Sequence, residues 1–169
     1  MEIINKRRSI RKYREDEIED EKIDKMIRAA MQAPGSRMGQ EPWEFIVVKN
    51  KDTIKELSKM DHNSKMLEGA TLAIVLIANM DNSHFKKVWQ QDMAAAATML
   101  LLEASYLDLG AVWVNVAPHE HRMKFISEFF NLGENLKPFN MISIGYPQEG
   151  QENKFVDKYH EERVHYEKY

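Results

Sequence analysis

The run Arg-Arg-Ser-Ile-Arg at positions 7–11 carries the residue types that bind phosphate. Alternate residues of an extended segment share one face, so Arg7, Ser9 and Arg11 could point together at one anion. Two guanidinium groups and a hydroxyl suit a phosphate dianion because their hydrogen bonds to it are charge-assisted and directional. The alternative is a solvated basic arm that pairs with the acidic residues at 15–17. Taken alone, the run favours the solvated arm.

The common sequence signatures of nucleotide-binding loops, metal sites and hydrolytic enzymes are missing from the sequence. No Gly-x-Gly-x-x-Gly or Walker loop is present, so side chains would have to hold the phosphate of any nucleotide-like cofactor. The absence of cysteine excludes disulfides, thiolate metal sites and thiol nucleophiles. His119 and His121 are two residues apart at a predicted helix start and face different ways, so we expect no metal site. No serine lies in Gly-x-Ser-x-Gly. These absences point to a cofactor that carries the chemistry itself.

The composition is that of one ordinary globular domain. A chain of 169 residues is long enough for a hydrophobic core. The net charge of −3 gives no electrostatic case for nucleic acid binding. The first ten residues lack the apolar region of a signal peptide, so we expect a cytoplasmic protein.

A long apolar helix is predicted at 85–109, and the other elements are arranged around it. Between Met93 and Leu102 there is no charge, and the run is too short to cross a bilayer. A helix that is apolar nearly all round must be covered on every side. Its four consecutive alanines would let another helix approach closely, and that neighbour could be a second copy of the chain.

The remaining pattern predicts a sheet of four or more strands in an α/β or α+β domain. Strands are predicted at 43–49, 71–78, 111–116 and 139–146, and further helices at 15–31, 52–60 and 118–130. Asp52 is the predicted N-cap of the short helix. The polar residues from 148 onward carry aromatics but few aliphatics, so they are either disordered or docked on another surface.

Six motifs, in order along nearly the whole chain, resemble those of the nitroreductase-like FMN-dependent flavoproteins. They are the run at 7–11, Ala33-Pro34 ahead of Gln40 and Pro42-Trp43, Lys65-Met66-Leu67, Gln91-Asp92-Met93-Ala94-Ala95 with Gly110-Ala111-Val112-Trp113, Ile144-Gly145-Tyr146-Pro147, and Glu162-Arg163-Val164-His165-Tyr166. The resemblance implies an α+β fold with a mixed, mostly antiparallel sheet flanked by helices. It also implies an intertwined homodimer with FMN at the interface. Residues 1–169 would then form a single domain whose arm, 148–169, wraps the partner subunit.

The resemblance assigns cofactor contacts to five basic or hydroxyl side chains. Arg7, Arg8 and Ser9 would reach the FMN phosphate and ribityl chain. Arg11 and Lys65 would lie near the pyrimidine edge of the isoalloxazine. A cation there would raise the reduction potential, because it stabilises the negative charge of the reduced flavin.

Further contacts implied by the resemblance come from a strand end, the tail and a loop. Trp113, Asn115 and Val116 would line the ring, with Asn115 nearest N5, and Arg163 would be a second phosphate ligand. Core packing is the alternative for Trp113 and Val116. The loop placed over the partner's flavin would carry Pro34, Gly35, Ser36 and Met38. The family commonly has asparagine at the position of Met38, and this chain carries one extra residue before Pro42.

The activity implied is a ping-pong oxidoreductase. NADH or NADPH would pass hydride to flavin N5 and leave, and a nitroaromatic or quinone-like acceptor would then take its place. The alternatives within the fold are a flavin-fragmenting or dehalogenating enzyme. The alternatives outside catalysis are a flavin-binding protein without turnover and a dimeric domain whose basic arm binds nothing.

Overall fold

The computed structural model describes residues 2–169, apart from the side chains of Arg37 and Met38. Its centre is an antiparallel sheet in the order β1-β2-β4-β3. The strands are β1 (Trp43–Val48), β2 (Leu72–Asn79), β3 (Gly110–Asn115) and β4 (Leu136–Gly145). All four strands predicted from the sequence are present, and β2 is central, as its continuous apolar run predicts. An isolated parallel bridge between Ser9 and Ala111 lies beside this sheet, at the β3 edge.

Helices cover both faces of this sheet. They are α1 (Glu2–Lys6), α2 (Asp20–Met31), α3 (Ser36–Gly39), α4 (Lys51–Leu57), α5 (Trp89–Tyr106) and α6 (Glu120–Phe129), with 3₁₀ turns at Ser58–Met60, His62–Gly69 and Glu161–Arg163. One core joins α2 and α5 to the sheet, and a second core lies with α4 and α6 on the other face. The fold is therefore α+β, as expected. No helix in residues 2–169 combines the length and apolar content that a bilayer span needs.

Three local predictions differ from the structure. Residues 2–6 form a short helix, which was not predicted. Asn50, not Asp52, caps α4, because the side chain of Asn50 accepts a hydrogen bond from the Thr53 amide at 2.9 Å. The long helix is shorter than predicted, since turns occupy the residues before Trp89.

The long helix α5 is not covered on every side within one chain. Met93, Ala97 and Leu100 are inaccessible to solvent beneath the sheet. A second face remains partly or fully exposed, and we call it the α5 strip; it consists of Ala94, Ala95, Thr98, Met99, Leu102 and Tyr106. The small and apolar residues of this strip are of the kind that another helix can pack against.

The C-terminal tail, residues 154–169, is exposed along its whole length. Its first residues are attached to the body, because the Val156 amide donates to the Asn5 carbonyl at 3.1 Å. Beyond that point the tail exposes apolar and aromatic side chains, including Tyr159 at 68% and Tyr166 at 83%. Burial of large aromatic rings stabilises a protein, and in a single chain these rings remain exposed to solvent.

Tyr13 makes the stability of the fold depend on pH in the alkaline range. Its buried hydroxyl donates to the Ile10 carbonyl at 2.7 Å and accepts from Ser143 Oγ at 3.1 Å. Burial raises the pKa of Tyr13 well above its ordinary value. We expect the free energy of unfolding to fall as the pH rises above about 10, because only the unfolded chain then loses this proton.

Urea unfolding of the wild type and of Tyr13→Phe, at about pH 8 and about pH 11, measures this contribution. The variant should lose less stability between the two pH values than the wild type. Equal losses in the two proteins would contradict the assignment.

Candidate functional site

Arg7 is a half-buried cation without a partner. It follows α1 directly, and its guanidinium makes no hydrogen bond or ion pair with any described residue. Burial, together with the neighbouring charge of Arg8, lowers the pKa of Arg7. An arginine remains charged even so, and a desolvated guanidinium without a counter-ion favours binding of an anion. This environment fits a phosphate group.

Arg8 connects the C-terminal tail to the N-terminal helix. Its side chain donates to the main-chain carbonyls of Asn5, Lys154 (2.8 Å) and Val156 (3.5 Å). Its amide donates to Asn153 Oδ1 at 2.8 Å. The guanidinium therefore attaches the C-terminal tail to α1, and the contact of Arg8 with the cofactor stays a prediction.

Ser9 and Arg11 lie on the outward side of the segment that borders β3. Between them, Ile10 is buried in the second core and its amide donates to the Ala111 carbonyl at 3.1 Å. Both Ser9 and Arg11 are exposed, and Arg11 Nη1 donates to the Ser9 carbonyl at 3.3 Å. The alternative was that basic residues pair with the acidic run at 15–17. The structure shows such a pair for Arg14, whose Nη1 lies 3.3 Å from Asp16 Oδ2.

The end of β3 presents one polar side chain next to an aromatic cluster. Trp113 packs edge-on against Phe139, with ring centroids 5.3 Å apart, and its indole Nε1 donates to Asn115 Oδ1 at 3.2 Å. This bond orients the exposed Asn115 amide. Val116 is inaccessible in the second core, so its side chain packs there and does not line an open site. For Val116 the core-packing alternative is correct.

Lys65 lies exposed on the 3₁₀ turn His62–Gly69, and a buried ion pair connects this turn to β3. Asp61 caps the turn and pairs with Arg122 at 2.6 Å, with only 16% and 11% of the two side chains exposed. Arg122 Nη1 also donates to the Asn115 carbonyl at 2.8 Å. The pair therefore connects the turn that carries Lys65 to the strand end that carries Asn115, and the sequence pattern did not indicate Asp61 or Arg122.

The loop before β1 is held by Asp92 and Gln40, neither of which was predicted as a site residue. Pro34 is exposed, and Ser36 donates from both its amide (2.8 Å) and its Oγ (2.5 Å) to Asp92 Oδ1. Gln40 Nε2 donates to Asp92 Oδ2 at 2.5 Å. The available signal was a single acidic residue at the start of an otherwise apolar helix. The predicted contact of Met38 lies outside the described residues.

Only glycine fits at position 35, because the main chain at Gln40 approaches it closely. A Cβ added to Gly35 would collide with the main-chain carbonyl of Gln40. We expect Gly35→Ala to destabilise the protein by about 1–3 kcal/mol, because the loop must move away from Asp92. Gly69→Ala is the matched control, since its Cβ would meet no atom within 4 Å. Urea unfolding measures both, and equal stabilities of the two variants would show that the loop tolerates the side chain.

The predicted contacts do not close around one cavity within a single chain. Arg163 lies on an exposed turn of the tail and is not bonded to Arg7 or Arg8 within the described chain. Two clefts of about 500 Å³ lie near Asp108 and Asn153, and neither is lined by Arg7, Ser9 or Asn115. The structure thus joins Arg7, Ser9 and Arg11 to β3, whereas the loop and the tail are separate parts of the surface.

Known proteins resemble this chain over its whole length. The model described as "Nitroreductase family" matches residues 4–65. A protein of Archaeoglobus fulgidus named "Putative NADH dehydrogenase/NAD(P)H nitroreductase" is 38% identical, covering 100% of this chain and 98% of the relative. A solved structure titled "Putative NADH Oxidase", from Clostridium acetobutylicum, is 51% identical with a TM-score of 0.96 and 99% coverage of both chains. The "FMN-dependent Nitroreductase" of Clostridium difficile is 35% identical with a TM-score of 0.90, again covering 99% of each chain.

Proposed function

The chain belongs to the nitroreductase family, and from this we propose that it is an FMN-dependent oxidoreductase that uses NADH or NADPH to reduce a nitroaromatic or quinone-like acceptor. The observation that carries the proposal is the half-buried guanidinium of Arg7, which has no partner in the described chain and adjoins Ser9 at the β3 edge. The FMN-dependent relative from Clostridium difficile supports the identity of the cofactor.

The phosphate end of FMN would be held by Arg7 and Ser9, with Arg163 supplied by the tail. Guanidinium groups and a hydroxyl provide several directional donors to a phosphate dianion. Arg8 would contribute indirectly, because it attaches the tail from which Arg163 projects. The site would therefore need both an anchored N-terminal segment and an ordered tail.

The ring of FMN would lie near Arg11, Lys65 and the end of β3. When bound, FMN supplies a group that accepts hydride at N5 and then delivers electrons to the acceptor. Arg11 and Lys65 would stabilise negative charge at the pyrimidine edge and so raise the reduction potential. Asn115, oriented by Trp113, would present its amide to the region of N5. None of these side chains needs to act as an acid or base.

We place the complete site between two copies of the chain. The α5 strip and the C-terminal tail are both exposed, although each carries apolar or aromatic side chains of the kind that proteins bury. A twofold dimer would cover the strip with its own copy and give each tail a partner surface. The loop at 34–38 would then lie over the flavin of the partner subunit and help to exclude water from it.

Anaerobic stopped-flow mixing of the FMN-loaded protein with NADH, and separately with NADPH, tests the activity. We expect the visible flavin absorbance to be lost with at least one donor and to return when a quinone or nitroaromatic compound is added. Lack of reduction by either donor would remove the proposal. Reduction without faster reoxidation by any acceptor would instead favour a flavin-binding protein without turnover.

A further inference from the structure

Asp92 is a buried acidic residue that the proposed contacts with FMN do not use. It lies in the first turn of α5 with 2% of its surface exposed, next to the inaccessible Met93. A carboxyl group buried in apolar surroundings is costly unless its oxygens are hydrogen-bonded. The position within the first helical turn helps, because the amino-terminal end of a helix favours negative charge.

Among the side chains that the structure describes, all hydrogen bonds to the Asp92 carboxylate come from one loop. Ser36 donates to Oδ1 from its amide and its hydroxyl, and Gln40 Nε2 donates to Oδ2. The Ser36 amide, the Ser36 hydroxyl and the Gln40 side-chain amide all donate, and an ionised carboxylate can only accept hydrogen bonds. A residue that served the core alone would be expected to join core elements, whereas Asp92 fixes both ends of α3.

The same contacts extend to the segment that precedes α5. Gln40 is itself buried, at 2% exposure, and its Oε1 accepts a hydrogen bond from the Phe85 amide at 3.0 Å. The side-chain amide of Gln40 thus connects the Asp92 carboxylate to the main chain that precedes α5. As a result, the loop at 34–40 is bonded directly to α5 and to the main chain that precedes this helix.

We infer that Asp92 is a positioning residue for substrate binding, acting through the loop at 34–40 on the site of the partner subunit. The inference rests on the proposed function, in which this loop covers the partner's FMN and α5 lies at the dimer interface. Asp92 touches neither flavin nor substrate in this scheme. It determines where the loop stands, and the loop determines the space left for a flat acceptor.

The variant Asp92→Asn tests this role in the FMN-loaded dimer. We expect the KM for the acceptor to rise by about 10-fold, because an amide nitrogen replaces one acceptor of charge-assisted bonds. The kcat should stay within about twofold, since the groups around the ring are unchanged. Gln40→Leu, which keeps the carboxylate, should change KM in the same direction. Tyr13→Phe is the control, because it removes buried hydrogen bonds from the other core.

Mixed dimers show in which subunit Asp92 acts. In the trans dimer, one chain carries Arg7→Glu and the other carries Asp92→Asn. In the cis dimer, one chain carries both changes and the other is wild type. If each loop serves the partner's site, the trans dimer keeps one intact site and about half of the wild-type kcat/KM. The cis dimer then has no intact site and retains about half of the kcat/KM of the Asp92→Asn homodimer, because only one of its two sites keeps Arg7.

The outcomes separate this inference from the proposed function. Half activity in the cis dimer and low activity in the trans dimer would place the effect of Asp92 in its own subunit and overturn the inference. An unchanged KM in Asp92→Asn, or a KM that changes equally in Tyr13→Phe, would overturn it too. In each of these cases the wild type would still bind FMN and turn over. Failure of the wild type to bind FMN would instead remove the proposed function.

Discussion

Charge reversal at Arg7 is expected to lower the affinity for FMN by about 100-fold, which corresponds to roughly 3 kcal/mol. The expected effect is large because the Arg7 guanidinium has no partner among the described residues, which leaves it available to the phosphate. Glutamate at this position would also repel the phosphate from a half-buried site, where solvent screens charge poorly. Quenching of flavin fluorescence during titration of Arg7→Glu measures the affinity.

The control for Arg7→Glu is Arg28→Glu, which makes the same change of charge at an exposed arginine in the last turn of α2. We expect Arg28→Glu to bind FMN within about threefold of the wild type, because exposed charges are screened by salt. Urea unfolding of both variants should confirm that they are folded. Equal FMN affinities in Arg7→Glu and Arg28→Glu would show that Arg7 does not hold the phosphate.

Removal of residues 157–169 is expected to raise the dissociation constant of the dimer by about 1,000-fold, or roughly 4 kcal/mol. The segment carries Tyr159, Val164, Tyr166 and Tyr169, all exposed in one chain. Burial of such side chains on a partner surface is worth about 1.5–3 kcal/mol each before the cost of ordering the tail. The deletion also removes Arg163, so FMN affinity should fall with it.

The truncation is designed to leave the fold of the chain intact. It retains Asn153 and the carbonyls of Lys154 and Val156, to which Arg8 is bonded. A full-length variant with Tyr159→Ser and Tyr166→Ser is the companion, because it keeps Arg163 and loses most of the aromatic surface. Sedimentation equilibrium gives the dissociation constants. An unchanged constant in both variants would contradict a role of the tail in dimerisation.

The elements that the sequence predicted best are those with an unambiguous hydrophobic pattern. β2 is apolar at seven consecutive positions, and only a central strand covered on both faces has that environment. The boundaries of α5 were less certain, because an apolar helix and the turns before it share residue types. The α1 helix was missed because five residues, of which only two adjacent ones are apolar, are too few to show a helical period.

The candidate site could be predicted only in part, because long-range contacts determine what several of its residues do. Arg7 and Arg8 are adjacent and chemically identical, yet one is unpaired and the other binds three carbonyls. That difference is set by where the tail passes, which is a long-range contact. Asp92 and Gln40 are 52 residues apart, so no local pattern connects them. Val116 follows a strand end, and only the packing of the second core shows that its side chain is covered.

The central claim is that FMN binds between two copies of this chain. Sedimentation velocity followed at the visible absorbance of flavin tests it directly. The account predicts that the flavin sediments with a particle of twice the chain mass of 19.8 kDa, with one FMN per chain. Flavin that sediments with a single chain of 19.8 kDa, or a dimer that carries no flavin at saturating FMN, would contradict it.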